Sequence, residues 1–600
     1  MTEPGQRADR RPDIADYGFL SDCHSAVLVD RSGSVDWWCA PRFDSPSVLG
    51  RLLDPAAGHW VLAPTETCSS ERSYLGDTLV LQTLHRTATG TVSVTDALLL
   101  AHGARGHEIG RSSPHVLLRR VEGQEGTVRM RTDLSPRMEY GRTEPHLQVV
   151  PGGVRARGGP ATLTLRTGVP VRIHDGAVLG EFDVSAGEVV DLRLSYAPSF
   201  GHDAGGAKPS LADTLEAWRS WAAQHTGYDG DFPEQVRRSS LVLQGLTYGP
   251  SGAVVAAATT SLPETMGGEL NFDYRYAWLR DLSLTMRSLW LAACPDEPGR
   301  LFAWLADSAG HVRHELVQIM YGVEGERDLT EHVLEHLGGY RGSAPVRVGN
   351  AAWEQDQLDV FGEVLDAADL LKDQLGELTP PIQQMLVALA DRAAGTWQQP
   401  DAGMWEARDQ RRHYTSSKVM CWVALDRAVT LAPRLGADAD PDGWAKARDA
   451  VRDAVLAKAW SEQAGAYTGA FGSDDLDASV LMLPLVGFLS ARDERMRATI
   501  EVVARELGGV GGLVRRWPDD ASGFLICTYW LVECLALMGA PHRARSWFAG
   551  ATAHANDLGL LSEEADPQTG ELLGNYPQAF SHVGLINAAW RLGQPAPDNE

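Results

Sequence analysis

GHDAGGAKPSLADTLEAWRSWAAQH, Gly201 to His225, is the stretch where the chain changes its grammar. Gly201 to Ser210 is rich in glycine and polar residues and carries a proline, the composition of a linker. From Leu211 the apolar residues return at helical spacing. Upstream, AVLVDRSGSVDWWC, Ala26 to Cys39, is two short apolar runs around a Ser-Gly turn, the mark of a hairpin. HWVLAP, DTLVLQTLHRTATGTVSVTDALLL, HVLLRRVEGQEGTVRMRTDL, ATLTLRTGVPVRIH and VVDLRLSYAP continue this pattern of short, alternating runs. They predict a large antiparallel sandwich over residues 15 to about 200.

Downstream the period is helical. PEQVRRSSLVLQGLTYG opens with Pro233, suited to a first turn. YAWLRDLSLTMRSLWLAA, LFAWLADSAGHVRHELV, DASVLMLPLVGFLS and SHVGLINAAW are later examples. About a dozen amphipathic helices in series predict either a solenoid or a closed toroid of hairpins. The units share no repeating signature and are joined by long, chemically rich loops, which favours the toroid. The expected division is a sandwich over residues 1–200, a linker and linker helix over 201–232, and a helical barrel over 233–600.

The 600 residues leave room for two or three domains, with 44% hydrophobic and 22% charged residues as in ordinary folded chains. A formal net charge of -25 repels phosphates and anionic lipid, so neither nucleic acid nor membrane is an expected partner; a neutral sugar is not excluded. The 7 Cys are scattered without a Cys-x-x-Cys pair and read as buried small hydrophobes in a reducing compartment. MTEPGQRADRRPD has no apolar run and no later segment reads as a membrane span, so cytoplasm is the default location. The 18 Trp serve either sugar stacking or core filling, and any on the surface would mark a homo-oligomer interface.

Five segments carry candidate chemistry. In YAWLRD, Tyr276 to Asp281, a helix starting near Tyr276 would set Trp278 and Asp281 on one side. Arg280 and Asp281 would present a donor fork and an acceptor to neighbouring hydroxyls; the alternative is a structural ion pair at a helix start. Asp273, Tyr274, Arg275 and Tyr276 crowd just upstream. Glu406, beside Trp405 in MWEAR, would have a raised pKa if desolvated, as a general acid needs; otherwise it is a surface residue paired with Arg408 or Arg411. In LLSEEADPQTGELLGN, Glu563 or Glu564 could polarise a water, or the turn is merely a solvated acidic one. VRRWPDDASGF offers Arg516 and Trp517 as a further grip, and VRVGNAAWEQDQLD offers Arg347, Asn350, Trp353, Glu354 and Gln357. There is no His-Glu-x-x-His, P-loop, dinucleotide fingerprint or Gly-x-Ser-x-Gly elbow. His311 and His314 have a spacing that permits a metal but is common by chance.

On these blocks the chain resembles glycoside hydrolase family 15, the glucoamylase-like enzymes, and specifically their bacterial trehalase-like branch. The blocks are IADYGFLSDCHSAVLVDRSGSVDWWCAPRFDSPSVLGRLLD, FDYRYAWLRD, LGGYRGSAPVRVGNAAWEQDQLDVFGEVLDA, MWEARDQRRHYTSSKVMCWVALDRA and SEEADPQTGELLGNYPQAFSHVGLINAA. The resemblance implies a β-supersandwich followed by an (α/α)6 barrel. It implies Glu406 as general acid, Glu563 as general base, and Arg280 with Asp281, preceded by Trp278, gripping the terminal glucose. Trp405, Arg516 and Trp517 would complete the substrate contacts. Relatives often carry a longer acidic insert after the arginine; here only PDDAS separates Trp517 from Gly523, which bears on the leaving-group side. The implied activity is inverting, exo-acting hydrolysis of an α-linked glucose disaccharide or oligosaccharide, with α,α-trehalose first. The alternatives are a glucoamylase or isomaltose/dextran-type exo-α-glucosidase, and a non-catalytic carbohydrate-binding scaffold. The chemistry requires no cofactor; a dependence on phosphate and Mg2+ comes from the resemblance alone.

Overall fold

The computed structural model describes residues 11–200, 209–225, 227–292, 294, 297–309 and 317–595. Most of the linker stretch Gly201 to Ser210 lies outside the described residues, as do His311 and His314.

Among the described residues, the N-terminal region is an antiparallel assembly of 15 strands, from Gly18–Ser21 to Val189–Pro198. Its joint is the 20-residue strand Val116–Ser135. The first half of that strand pairs with Gly90–Leu98 and Val189–Pro198. Its second half pairs with His59–Pro64 and Ala177–Ser185. Alternate residues Val128, Met130 and Leu134 turn inward, as the period-two reading requires. Gly126, at φ +65, allows the bend between the halves.

Thirteen helices follow among the described residues: α1 Leu211–Ala222, α2 Pro233–Gly245, α3 Leu279–Leu291, α4 Glu297–Ala309, α5 Val360–Leu370, α6 Pro380–Thr396, α7 Thr415–Leu431, α8 Pro441–Lys458, α9 Met482–Leu485, α10 Glu494–Glu506, α11 Leu525–Leu537, α12 Pro541–Thr552 and α13 Ala579–Gly593. From α2 onward they form two concentric rings. The inner ring runs α3, α5, α7, α9, α11, α13 and closes where α13 packs on α3; the even-numbered helices lie outside it. An inner helix meets protein on every side, so it can be apolar all round, as α11 is. Every residue of α11 from Leu525 to Ala536 is buried, with Glu533 among them. Where α5 meets α7, a Cβ on Gly362 would lie 2.3 Å from the Met420 carbonyl oxygen, so only glycine permits that approach. The expected helix in DASVLMLPLVGFLS is reduced to a 3₁₀ turn, Ala478–Leu481, and the single α turn of α9. Pro484 has no N–H to donate, and Gly487 at φ +78 ends the segment.

The sandwich is fastened to the barrel beneath the YAWLRD segment. Trp37 Nε1 donates to the Ala258 carbonyl at 2.8 Å. Arg275, fully buried, pairs with Asp273 through Nε and donates to Ser45 O and the Tyr140 hydroxyl, each at 2.8 Å. The chain is extended here, so successive side chains alternate. Asp273 and Arg275 face the sandwich, and Tyr274 faces the barrel cavity. That alternation accounts for the crowding of charged and aromatic residues in the sequence. Arg275→Ala leaves a buried carboxylate uncompensated and should cost about 3–5 kcal/mol of stability. Denaturant melting would show it, and a cost below about 1 kcal/mol would contradict the anchoring role.

All seven cysteines are free; six are buried and Cys68 is half-buried. Among the described residues, no helix is long and apolar enough to cross a membrane.

Candidate active site

The loops entering the N-terminal ends of α3, α7, α11 and α13 converge on one cavity of about 520 Å³. Its walls include Trp278, Arg280, Asp281, Trp405, Glu406, Arg516 and Glu563, brought together from loops far apart in sequence. A wider vestibule of about 1750 Å³ opens beyond it. Trp517 lines only the vestibule.

Trp278 is not the first residue of a helical stripe, as its spacing to Asp281 had predicted. It is the N-cap of α3, with extended φ −83 and ψ 139, and pairs with Met320 in a two-residue strand. The strand-to-helix switch, rather than an i, i+3 relation, turns Trp278 and Asp281 toward the same cavity. Arg280 lies 3.4 Å from Asp281, donates to the Met404 carbonyl and stacks over the Phe580 ring at 4.9 Å. Burial pushes Asp281 up to about 6, against the pull of Arg280.

Glu406 does not pair with Arg408 or Arg411, which instead meet Glu331 and Asp356, each at 2.9 Å. Its Oε1 accepts from Trp278 Nε1 at 2.7 Å and lies 3.7 Å from Arg280. Burial raises its pKa, while Arg280 and the indole N–H oppose the rise. The backbone of Glu406 sits at φ +60, a left-handed conformation uncommon outside glycine. It is held there by its N–H to Gly403 O at 3.0 Å and by Gln355 Nε2 on its carbonyl at 3.2 Å. Trp405 is anchored through Nε1 to Asp477 at 3.0 Å and meets Phe524 edge-on.

Glu563 and its neighbour Glu564 point to opposite sides of a short strand turn. Glu563 lines the cavity, and the Tyr274 hydroxyl donates to it. Gly574, at φ +74, makes room: a Cβ there would lie 2.7 Å from the Cβ of Glu563. Burial and then the charge of Glu264 raise the Glu563 pKa; Arg516 and the Tyr274 hydrogen bond oppose them. Glu564 is enclosed away from the cavity, paired with Arg516 at 2.9 Å and accepting from the Ser522 hydroxyl. Arg516 also meets Glu264 at 2.5 Å and Asp520 at 2.8 Å. Asp520 belongs to the short PDDAS loop, so this loop serves to hold the arginine.

The segment Arg347 to Gln357 lines neither cavity. Arg347 pairs with Glu331 at 3.2 Å, Asn350 caps a 3₁₀ turn, and Gln357 reaches Gln355, which props Glu406. Trp353 packs against the cluster holding Tyr276 and Trp278, and Glu354 ends the turn. Sequence reading named Tyr274 only as one of the residues crowding upstream of YAWLRD, with no role for its hydroxyl, and did not name Glu264. Alternation along FDYRYAW could have found the first; SLPET holds no local signal for the second. Among the described residues, no group of three or more His, Cys, Asp or Glu is arranged to hold a metal ion. Arg408 and Arg412 at the vestibule are paired with Glu331 and Asp475.

The arrangement can grip hydroxyls with Arg280 and Asp281 while two desolvated carboxyl groups meet one sugar. The model of glycosyl hydrolases family 15 matches residues 232–590, and that of a trehalase-like N-terminal domain matches residues 6–191. A trehalase of Mycolicibacterium smegmatis is 38% identical, covering 96% of this chain and 91% of its own length. A trehalase of Thermoplasma acidophilum is 32% identical, covering 94% and 98%. A bacterial glucoamylase in complex with acarbose shares the fold, with a TM-score of 0.71 at 13% identity, covering 98% and 95%. The two-domain architecture is therefore that of a β-sandwich and (α/α)6 barrel, and a non-catalytic scaffold is set aside. The chain belongs to glycosyl hydrolase family 15 and is an exo-acting glucoside hydrolase.

Proposed function

We propose that the protein is an inverting α,α-trehalase. The observation that carries the reading is that Glu406 and Glu563 line one cavity with Arg280 and Asp281, in a chain alignable end to end with trehalases. Glu406 protonates the glycosidic oxygen as the bond to the terminal glucose breaks. Glu563 removes a proton from a water on the opposite face of that glucose. The expected separation of the carboxyl groups is roughly 6.5–9.5 Å, leaving room for the water. Trp278 orients Glu406, and the Tyr274 hydroxyl orients Glu563. Free thiols throughout fit a reducing cytoplasm, where trehalose is a soluble substrate.

A second reading is favoured by one observation. The vestibule is large and carries Leu270, Phe272, Tyr414 and Trp517, apolar surface on which longer α-glucosides could lie. A glucoamylase or isomaltose/dextran-type exo-α-glucosidase would use the same two carboxylates. Initial rates on trehalose, maltose, isomaltose and maltotriose separate the readings: trehalose should be cut best, and preference for maltotriose would select the second.

Asp281→Asn removes one charged partner of the terminal glucose, a loss of about 1.5–3 kcal/mol in kcat/KM. The loss should be shared by every α-glucoside the protein cleaves. A variant that loses one of these activities and keeps another in full would place Asp281 at the leaving group instead.

A further inference from the structure

We propose that Glu264, paired with Arg516, reads the hydroxyls of the leaving glucose and so selects which disaccharide is cut. The inference rests on the α-glucosidase reading of the site above. Only Glu264, Phe272, Trp405, Glu406 and Arg516 line both the inner cavity and the vestibule, among the described residues, so they form the neck between the two. An acid at Glu406 puts the glycosidic oxygen at that neck. The terminal glucose then lies inward, with Asp281 and Glu563, and the leaving glucose begins where Glu264 stands.

The chemistry at the neck repeats that of the inner grip. A guanidinium beside a carboxylate offers donors and an acceptor to adjacent hydroxyls, as Arg280 and Asp281 do inside. Arg516 carries one positive charge and meets three carboxylates: Glu264 at 2.5 Å, Asp520 at 2.8 Å and Glu564 at 2.9 Å. Of the three, only Glu264 lines either cavity, so the surplus acceptor capacity faces substrate. A hydroxyl donor is what such a group lacks. The backbone that carries the side chain is also built in rather than free. Pro263 O accepts from Gly574 N at 2.8 Å, the Ser522 hydroxyl reaches Glu264 O at 3.4 Å, and Ser261 holds φ +58. Trehalose joins its leaving glucose through the anomeric carbon, so its 2-hydroxyl flanks the broken bond. Maltose joins through O4 and presents the 3-hydroxyl there instead. A fixed acceptor at the neck distinguishes these two.

The test compares a disaccharide with α-glucosyl fluoride, whose leaving group has no hydroxyl. For Glu264→Gln, kcat/KM on the disaccharide the wild type cuts best should fall roughly 10- to 100-fold. Fluoride hydrolysis at each protein's optimum pH should stay within about threefold. Glu264→Asp, which keeps the charge, should recover part of the disaccharide rate. The acidic limb of the pH profile should move to lower pH in the Gln variant, because the charge opposing Glu563 ionisation is gone. Equal losses on both substrates, or an unchanged disaccharide rate, would overturn the proposal. A wild type that prefers maltose to trehalose would sink the trehalase reading alone, and the Glu264 comparison would then be scored on maltose.

Discussion

Glu406→Gln lowers turnover of the natural disaccharide by at least ~10²-fold in a folded protein, the scale of general acid catalysis. The amide keeps the shape of the carboxyl group, and its oxygen can still accept from the Trp278 indole, 2.7 Å from Oε1 in the parent. What it lacks is the transferable proton. Burial is what retains that proton, since it raises the Glu406 pKa against the opposing pull of Arg280. A leaving group that departs without protonation, such as fluoride, should therefore lose much less than trehalose. Steady-state kinetics on both substrates check the assignment. Near-normal trehalose hydrolysis by the folded variant would remove Glu406 from the acid role.

Glu563→Gln should cost activity on a similar scale, at least ~10²-fold, while making the protein more stable near neutral pH. The sign follows from the upward shift of Glu563 from its ordinary 4.5, caused by burial and by Glu264. A carboxyl group raised in the folded state contributes stability that is fully present below about pH 4.5 and is lost as pH rises through the elevated folded value. Glutamine mimics the protonated form and does not lose that contribution. The melting temperature of the variant should exceed that of the wild type at pH 7, and the difference should vanish at pH 4. A variant less stable than wild type at pH 7 would show that the carboxylate is a structural partner rather than a strained catalytic one.

The upward shift also runs against the ionised form that a base requires. Arg516 and the Tyr274 hydroxyl work for that form, burial and Glu264 against it. The acidic limb of kcat/KM is therefore expected above the ordinary carboxylate range, and a limb near pH 4 would count against Glu563 as the base.

The reaction class was legible because its residues sit in dense local blocks. YAWLRD, MWEAR and SEEAD each put an acid among aromatic or apolar neighbours, and the structure gathers Asp281, Glu406 and Glu563 on one cavity. The change of period near Leu211 likewise separated sheet from helix, because burial imposes its repeat on every element. Local reading failed where a residue's meaning is tertiary. Trp278 looks helical by spacing, but the extended backbone that fastens Arg275 to the sandwich runs through to it. The segment Arg347 to Gln357 is rich in polar and aromatic residues, yet its partners are Glu331, Gln355 and the back of the Glu406 loop. Glu264 carries no local signal at all. It acquires a role only when the loops holding Gly574 and Ser522 close against it.

The most direct measurement is the anomeric form of the glucose released from α,α-trehalose, followed by proton NMR before mutarotation. An inverting enzyme attacks one glucose from the opposite face and releases it as the β-anomer, while the other departs as the α-anomer. Equal amounts of α- and β-glucose at the earliest times are expected. Release of α-glucose alone would mean retention, and would contradict the roles of Glu406 and Glu563 together.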